Sequence, residues 1–152
     1  MEFLRITQML DKAYVATPEK VGFADETGEM SFRKAKENSL FVARAIIDKL
    51  AGKQGNIAII MPSGMVEAVC LFGVLYSNNV FSCIDEKSPN ERIEKIFSIL
   101  NPIAIITDEK TKEKVDSLGF DGTVLVYEEC KKTNSNIELP VIEANEETTK
   151  EP

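Results

Sequence analysis

Four short apolar segments, separated by stretches with helical spacing, constrain the fold of this chain more than any other feature. They are N-I-A-I-I-M (56–61), V-F-S-C-I (80–84), I-A-I-I-T (103–107) and T-V-L-V-Y (123–127). Such runs are apolar at consecutive positions, which is typical of strands that helices cover on both faces of a parallel sheet. Because helical patterns connect them, the sequence predicts successive β-α-β units.

The architecture we expect is α/β: a flavodoxin-like, doubly wound parallel sheet with helices on both faces. Apolar residues at helical spacing over 3–16 predict an N-terminal helix, and the alternation around D-E-T-G at 25–28 predicts a β-hairpin after it. A further amphipathic pattern, closed by Gly52, leads from the hairpin to the first apolar run.

Helix starts are indicated by polar residues before several helical patterns. Ser31, Ser63 and Asp108 are each suited to cap a helix. The strongest start is Ser88-Pro89-Asn90-Glu91, which has a cap residue, Pro at the first helical position and Glu three residues after the cap. We expect Asn78 and Gly119 to adopt left-handed backbone where helices end.

Composition excludes several classes of protein. The chain of 152 residues, 43% of them apolar, is the size of one domain with a substantial core. Histidine is absent, which removes Ser-His-Asp and Cys-His catalysis and the H-E-x-x-H zinc site. Its three cysteines are far apart and odd in number, which favours free thiols in a cytoplasmic protein. No signal peptide and no membrane span is predicted.

The net charge of −7 is concentrated towards the end of the chain, where residues 128–152 contain seven Glu and three Lys. The absence of a basic stripe argues against nucleic-acid binding. We therefore predict an α/β subdomain at 1–127, followed by an acidic linker at 128–152.

Doubly wound sheets bind ligands beyond the carboxyl ends of their strands, so three loops were candidate sites. They are Pro62-Ser63-Gly64, Asp85-Glu86-Lys87-Ser88 and Thr107-Asp108. The first loop can aim backbone N–H groups at an anion, but it lacks the glycine patterns of nucleotide-binding and phosphate-binding loops. Its simpler interpretation is a proline turn in which Ser63 caps the next helix.

Asp85 and Thr107 at neighbouring strand ends resemble part of a response-regulator phosphoacceptor site. That site also needs an acidic pair and a lysine, and this sequence supplies neither at the matching strand ends. We interpret Asp85 as a turn residue that bonds the N–H groups after it, and we expect Arg92 to pair with it. No catalytic, cofactor-binding or metal-binding residue is assigned.

Four motifs, in order, resemble the AMP-forming, adenylate-forming ligases. P-E-K-V-G-F-A-D-E-T-G-E-M-S-F is similar to the family's opening, and N-I-A-I-I-M-P-S-G-M-V-E-A-V is similar to its V-A-I-x-x-x-N-S-x-E-x-V. Residues 75–85 resemble L-K-A-G-x-A-Y-V-P-I-D, with Asn78 for Gly and Cys83 for Pro. S-P-N-E-R-I-E-K-I is similar to the x-P-x-E-R-I-x-x-I of amino-acid adenylation domains and D-alanyl carrier protein ligases.

The resemblance implies a parent enzyme that uses ATP and Mg²⁺ to activate a carboxylate. The last motif, which is typical of amino-acid adenylation domains, implies that this carboxylate belongs to an amino acid. The acyl group then passes to a thiol of a phosphopantetheinyl carrier protein or coenzyme A. In that family the phosphate loop, substrate pocket, magnesium-binding acid and catalytic Lys lie further along the chain. We therefore expect an inactive N-terminal fragment that self-associates through uncovered apolar surface. The alternative is a stand-alone, non-catalytic binding module; a flavin-binding or phosphoacceptor domain is disfavoured by the missing motifs.

Overall fold

The computed structural model describes residues 2–133 and 136–139, with side chains from residue 6 onward. Its elements are α1 (Glu2–Ala16), β1 (Val21–Asp25), β2 (Gly28–Ser31), α2 (Phe32–Leu50), β3 (Asn56–Ile60), α3 (Met65–Tyr76), β4 (Val80–Ile84), α4 (Asn90–Leu100), β5 (Ala104–Thr107), α5 (Lys112–Asp116), β6 (Thr123–Val126) and α6 (Tyr127–Cys130). Within this part of the chain no helix is long and apolar enough to cross a bilayer.

The main sheet has the strand order β4-β3-β5-β6, and all of its pairings are parallel. Ile59 at its centre is in register with Cys83 on one side and with Ile106 on the other. The first of the four apolar strands, β3, thus lies between the second (β4) and the third (β5), which is the flavodoxin-like order. The predicted α/β fold, with its leading helix and hairpin, is confirmed.

Each face of the main sheet carries its own apolar core. On one face α2, α3 and α6 cover residues of three strands, including Ile57, Ile59, Ile106 and Leu125. On the other face α4 and α5 cover Ala58, Ile60, Ile84 and Ile105, with Ile93 and Val115 fully buried between the layers. Strand residues of opposite parity enter opposite cores, which explains why the apolar runs are continuous.

Helices α2 and α3 approach so closely that only a glycine fits at their crossing. A Cβ placed on Gly73 would lie 2.5 Å from Cγ1 of Val42 and 3.0 Å from the carbonyl oxygen of Ser39. The side chain of Val42 and the backbone of Ser39, both in α2, therefore pack directly against the backbone of α3. This contact fixes the relative position of the two helices that cover the first face.

The hairpin β1–β2 is a separate antiparallel sheet that packs on α3. Phe23 of β1 stacks on Phe72 of α3, with ring centroids 5.7 Å apart. Helix α1 is attached to the same region, because the Tyr76 hydroxyl donates to Oδ1 of Asp11 at 2.6 Å. Lys36 of α2 forms an ion pair with the same carboxylate at 3.1 Å.

The predicted helix caps were partly right. Ser31 caps α2, because it accepts a hydrogen bond from the N–H of Lys34. Asp108 does not cap α5, whose N-cap position is Thr111; its carboxylate accepts a bond from the Thr111 N–H in the turn before that helix. Ser63 does not cap α3, whose N-cap position is Gly64, and Ser88 does not cap α4, whose N-cap position is Pro89. None of the three observed N-cap residues makes a side-chain capping bond, so the cap assignments of Ser63, Ser88 and Asp108 were wrong.

Left-handed backbone occurs at Asn78 and Gly119, as expected, with φ of 63° at each. At the end of α2 the left-handed residue is Ala51, and Gly52 follows with φ of 78° and donates to the Ile47 carbonyl. The chain also contacts the core beyond Tyr127, because Cys130 of α6 is 3% exposed. Helix α6 was not anticipated, since its one turn is too short to show a helical period.

Candidate functional site

A cavity of about 560 Å³ lies at the carboxyl edge of the sheet, between the loops that follow β3 and β4. The loop Met61-Pro62-Ser63 forms one wall, and residues 83–87 form the other. Glu26, from the hairpin turn, and Glu67, from the first turn of α3, complete it. Two of the three loops singled out in the sequence are therefore brought together, as expected for a doubly wound sheet.

The lining of this cavity is strongly acidic. Its lining includes Glu26, Glu67, Asp85 and Glu86 against a single cation, Lys87. Burial and, second, the neighbouring Glu86 carboxylate raise the pKa of Glu67 above its ordinary value. Like charges this close repel further negative charge, so the cavity does not suit a phosphate group.

The N-terminus of α3 faces this loop and is already occupied by a carboxylate of the same chain. Oδ2 of Asp25 accepts a hydrogen bond from the Met65 N–H at 2.8 Å. Oδ1 of Asp25 accepts a second bond from the Thr27 N–H at 2.8 Å. The Met65 bond, followed by the bonds from Thr27, lowers the pKa of Asp25 below its ordinary value of 3.8. The anion that this loop binds is therefore the hairpin carboxylate.

Asp85 is a turn residue, as predicted. Its Oδ1 accepts a bond from the Lys87 N–H at 2.9 Å, and its carbonyl accepts one from the Ser88 N–H. The expected ion pair between Arg92 and Asp85 is wrong: neither takes part in an ion pair in the described structure, and Arg92 is exposed. Arg92 instead extends from the first turn of α4 into solvent.

Thr107 and Asp108, in the third candidate loop, do not line the cavity. The Thr107 side chain is fully buried, and its hydroxyl has no hydrogen-bond partner in the structure. Asp108 instead holds the turn before α5 through its bond to Thr111. Across residues 2–133 and 136–139, no cluster of three or more His, Cys, Asp or Glu side chains has the geometry of a metal site.

Sequence reasoning missed three residues that determine the character of this edge: Asp25, Glu26 and Glu67. Asp25 and Glu26 belong to a hairpin turn whose packing partner is 40 residues away in sequence. The sequence offered one signal: Gly64 precedes α3 at the N-cap position without a side chain that could cap the helix, and a short acidic turn occurs earlier in the chain. Glu67 was visible as the single charge in an apolar helix.

Known proteins share the sequence pattern of this chain over most of its length. A family model described as "AMP-binding enzyme" matches residues 10–151. The chain is 26% identical over 125 residues to a dimodular nonribosomal peptide synthase of Bacillus subtilis (strain 168), and 23% identical over 139 residues to surfactin synthase subunit 1 of the same strain. These matches cover 82% and 90% of this chain, which spans only 5% and 4% of the two relatives.

Solved structures show the same fold. The N-terminal subdomain of Klebsiella oxytoca NpsA aligns with a TM-score of 0.74 at 17% identity, over 90% of this chain and 35% of that one. The nonribosomal peptide synthetase FmoA3, in a form bound to alpha-methyl-L-serine-AMP, aligns with a TM-score of 0.78 at 14% identity, over 90% of this chain and 15% of that one. With the family match over residues 10–151, the chain belongs to the AMP-binding enzyme family, of which it represents the N-terminal part.

Proposed function

We propose that this chain is the N-terminal scaffold of an ATP-dependent, AMP-forming ligase that activates an amino acid as its acyl-adenylate for transfer to a thiol. Family membership over residues 10–151 carries the reaction class, and the relatives named as nonribosomal peptide synthetases support an amino-acid substrate. The acceptor we propose is the phosphopantetheine of a carrier protein, with coenzyme A as the second candidate.

The described residues do not fit the phosphates of ATP by themselves, and no cluster of three or more carboxylates among them could hold Mg²⁺. Adenylyl transfer requires N–H donors and cations that neutralise charge on the phosphates as it develops. At this carboxyl edge the N–H of Met65 already binds Asp25, and the adjacent cavity carries four carboxylates. In the proposed enzyme the nucleotide is therefore held by the remainder of the ligase, while residues 1–127 form the supporting subdomain and residues 128–152 lead onward.

Scaffold function can be tested with a chimaera. Residues 10–127 would replace the matching segment in the AMP-binding unit of the B. subtilis dimodular synthase, and amino-acid-dependent pyrophosphate exchange would be measured. We expect exchange by the chimaera and none by the chain of 152 residues alone. Exchange by the isolated chain would overturn the proposal that nucleotide binding lies elsewhere. A folded chimaera without exchange would overturn the scaffold function.

Whether the cell keeps this scaffold within a larger enzyme is a separate question. An immunoblot of source cells with an antibody against this chain would show a band several times larger if the remainder is attached. Met9, Val15 and Ile99 are 69%, 79% and 80% exposed, and uncovered apolar surface of this kind favours self-association of an isolated piece. A single monodisperse species of the short size would instead support the stand-alone binding module.

A further inference from the structure

Strand β6 forms one open edge of the main sheet. It pairs with β5 along one side, from Thr123 opposite Ala104 to Val126 opposite Thr107. Along its other side no strand lies in the described part of the chain. The sequence of β6, T-V-L-V, contains neither a charged residue nor a proline. Edge strands are commonly protected by such residues, because their free N–H and C=O groups otherwise pair with a strand of another molecule. Strand β6 therefore lacks this protection.

A cavity of about 210 Å³ opens beside this edge, between β6, α2 and α6. Much of its lining is apolar, including Ala45 of α2 and residues 124–126 of β6. Two charged side chains line its opposite ends. Lys49, in the last turn of α2, is at the amino end of the strand, because α2 leads into β3 at that edge of the sheet. Glu129 is at the carboxyl end, because α6 follows β6 directly.

These two charges are only weakly engaged within the chain. Lys49 is exposed and takes part in none of the ion pairs between described residues. Glu129 lies 3.6 Å from Nζ of Lys132, but both side chains are more than half exposed. An ion pair of this kind contributes little free energy, because water screens it and two long side chains must be held in place. Both groups are therefore available to opposite charges that arrive from outside the chain.

The opposite face of the sheet has the reverse order of charges along β6. The Lys114 side chain of α5 points away from this edge, since it donates to the Ser88 carbonyl at 2.8 Å, in the loop after β4. Lys112 and Asp116, two residues to either side, therefore project from the other side of α5, towards β6. They pair with each other at 3.2 Å. Because α5 runs back from the carboxyl edge, the cation here is nearer the carboxyl end of β6 and the anion nearer the amino end.

We propose that two copies of this chain pair in antiparallel fashion through their β6 edges, which joins their two main sheets into one. A two-fold axis perpendicular to the sheet relates identical antiparallel strands, so each face of one copy continues into the same face of the other. The amino end of one β6 then lies beside the carboxyl end of the other. Lys49 of each copy therefore faces Glu129 of the other, and Lys112 faces Asp116 in the same way on the second face.

The other open edge, β4, does not have this complementarity. The Phe97 ring of α4 meets the Phe120 ring, which follows α5, with 5.6 Å between the ring centroids. The flank of α4 that turns towards the β4 edge is therefore the opposite one. Helical geometry places Arg92 and Lys95 on that flank, and both are exposed. A two-fold axis at β4 would bring the cations of both copies together, which disfavours that edge as the contact between copies.

Sedimentation equilibrium of the whole chain measures the dimer, and charge reversal locates it. We expect dimers of the parent and a several-fold higher dissociation constant for Lys49→Glu and for Glu129→Lys, because each reversal places like charges together at two positions of the dimer. The double variant Lys49→Glu/Glu129→Lys should recover the constant of the parent. Lys95→Glu makes the same change of charge on α4 and should leave the constant unchanged. A parent that stays monomeric up to its solubility limit, or a double variant as weak as the single ones, would overturn the proposal.

Hydrogen exchange gives a second readout that needs no substitution. Above the dissociation constant of the dimer, we expect the outward amides of residues 123–126 to exchange several-fold more slowly than below it. Residues 80–84, in the other open edge strand, are the internal control and should exchange at the same rate at both concentrations. Slower exchange at β4 instead, or at neither edge, would exclude pairing through β6. Either result would leave the scaffold function, which the chimaera tests, unaffected.

Discussion

Oδ2 of Asp25 and the backbone N–H of Met65 lie 2.8 Å apart, so the turn of a hairpin caps a helix 40 residues further along the chain. The same carboxylate closes its own turn through Thr27. One side chain therefore fixes the hairpin turn, the N-terminus of α3 and one wall of the acidic cavity.

Replacement of Asp25 by Ala should lower the thermal midpoint and remove a pH-dependent part of the stability. The pKa of Asp25 is lowered in the folded state, so its contribution is complete above the ordinary value of 3.8 and is lost as the pH falls through the lowered pKa. Protonation of Asp25 should thus contribute to the fall in the free energy of unfolding of the parent below about pH 4. The Asp25→Ala variant should show a smaller fall, because it lacks this carboxylate.

Urea unfolding between acidic and neutral pH would measure this difference. Glu29→Gln, an exposed change on the neighbouring strand, is the control. If the difference in stability between parent and Asp25→Ala stayed constant across the acid range, the capping role of the carboxylate would be contradicted.

Gly73→Ala should destabilise the fold by about 1–3 kcal/mol, because the new methyl group overlaps Val42. An exposed helical glycine would respond in the opposite way, since Ala favours helix. Adding Val42→Ala should make the double variant more stable than the sum of the two single effects predicts. Chemical denaturation of the four proteins of this cycle would show the coupling, and strict additivity would exclude the contact.

Tyr76→Phe removes the hydroxyl that donates to Asp11 and should cost about 1–3 kcal/mol, since the acceptor is a carboxylate. We expect the loss to appear first in α1, as faster amide hydrogen exchange over residues 6–16. Tyr14→Phe is the matched control, because Tyr14 contacts Lys36 through its ring. Unchanged exchange in α1 would mean that the hydroxyl bond does not hold this helix.

Among the cysteines, Cys83 should react and Cys70 and Cys130 should not, because only Cys83 is exposed. Partial burial and, second, the Glu67 carboxylate raise the pKa of Cys83 to about 11. Its alkylation by iodoacetamide should therefore accelerate about tenfold per pH unit well beyond pH 8, where an ordinary thiol begins to level off.

Glu67→Gln should lower the pKa of Cys83 and increase the alkylation rate at pH 8, read by mass spectrometry. The effect should be modest, because burial is the larger cause. Glu109→Gln, an exposed change remote from the cavity lining, is the control. A slower reaction in Glu67→Gln would reverse the sign of the electrostatic argument.

The sequence predicted the parts of this fold that depend on neighbours in the chain. Ser31 caps α2 because the N–H that it accepts belongs to Lys34, three residues away. Asp85 and Asn78 were likewise assigned from local turn geometry. Apolar runs without alternation indicated strands covered on both faces, and their alternation with helical patterns indicated a flavodoxin-like, doubly wound parallel sheet.

Long-range contacts account for the errors at the carboxyl edge of the sheet. Ser63 has the right chemistry for a cap, but Asp25 takes the N-terminus of α3. The error at Ser88 is local instead, because α4 begins one residue later and its N-cap is Pro89. Gly64 indicates locally that the N-cap of α3 has no side chain of its own, but nothing in residues 62–65 reveals which element supplies the carboxylate. The acidic cavity was missed for the same reason, since Glu26 and Glu67 meet through the packing of the hairpin on α3.

Because the hairpin supplies the cap of α3, the smallest portion of this chain that can be excised intact must begin before β1. A shorter piece that started at α2 would retain every strand of the parallel sheet, yet the Met65 N–H would face water and Phe72 would lose its stacking partner. The two-stranded ribbon, although it adds no strand to the main sheet, sets the boundary at which the molecule can be divided.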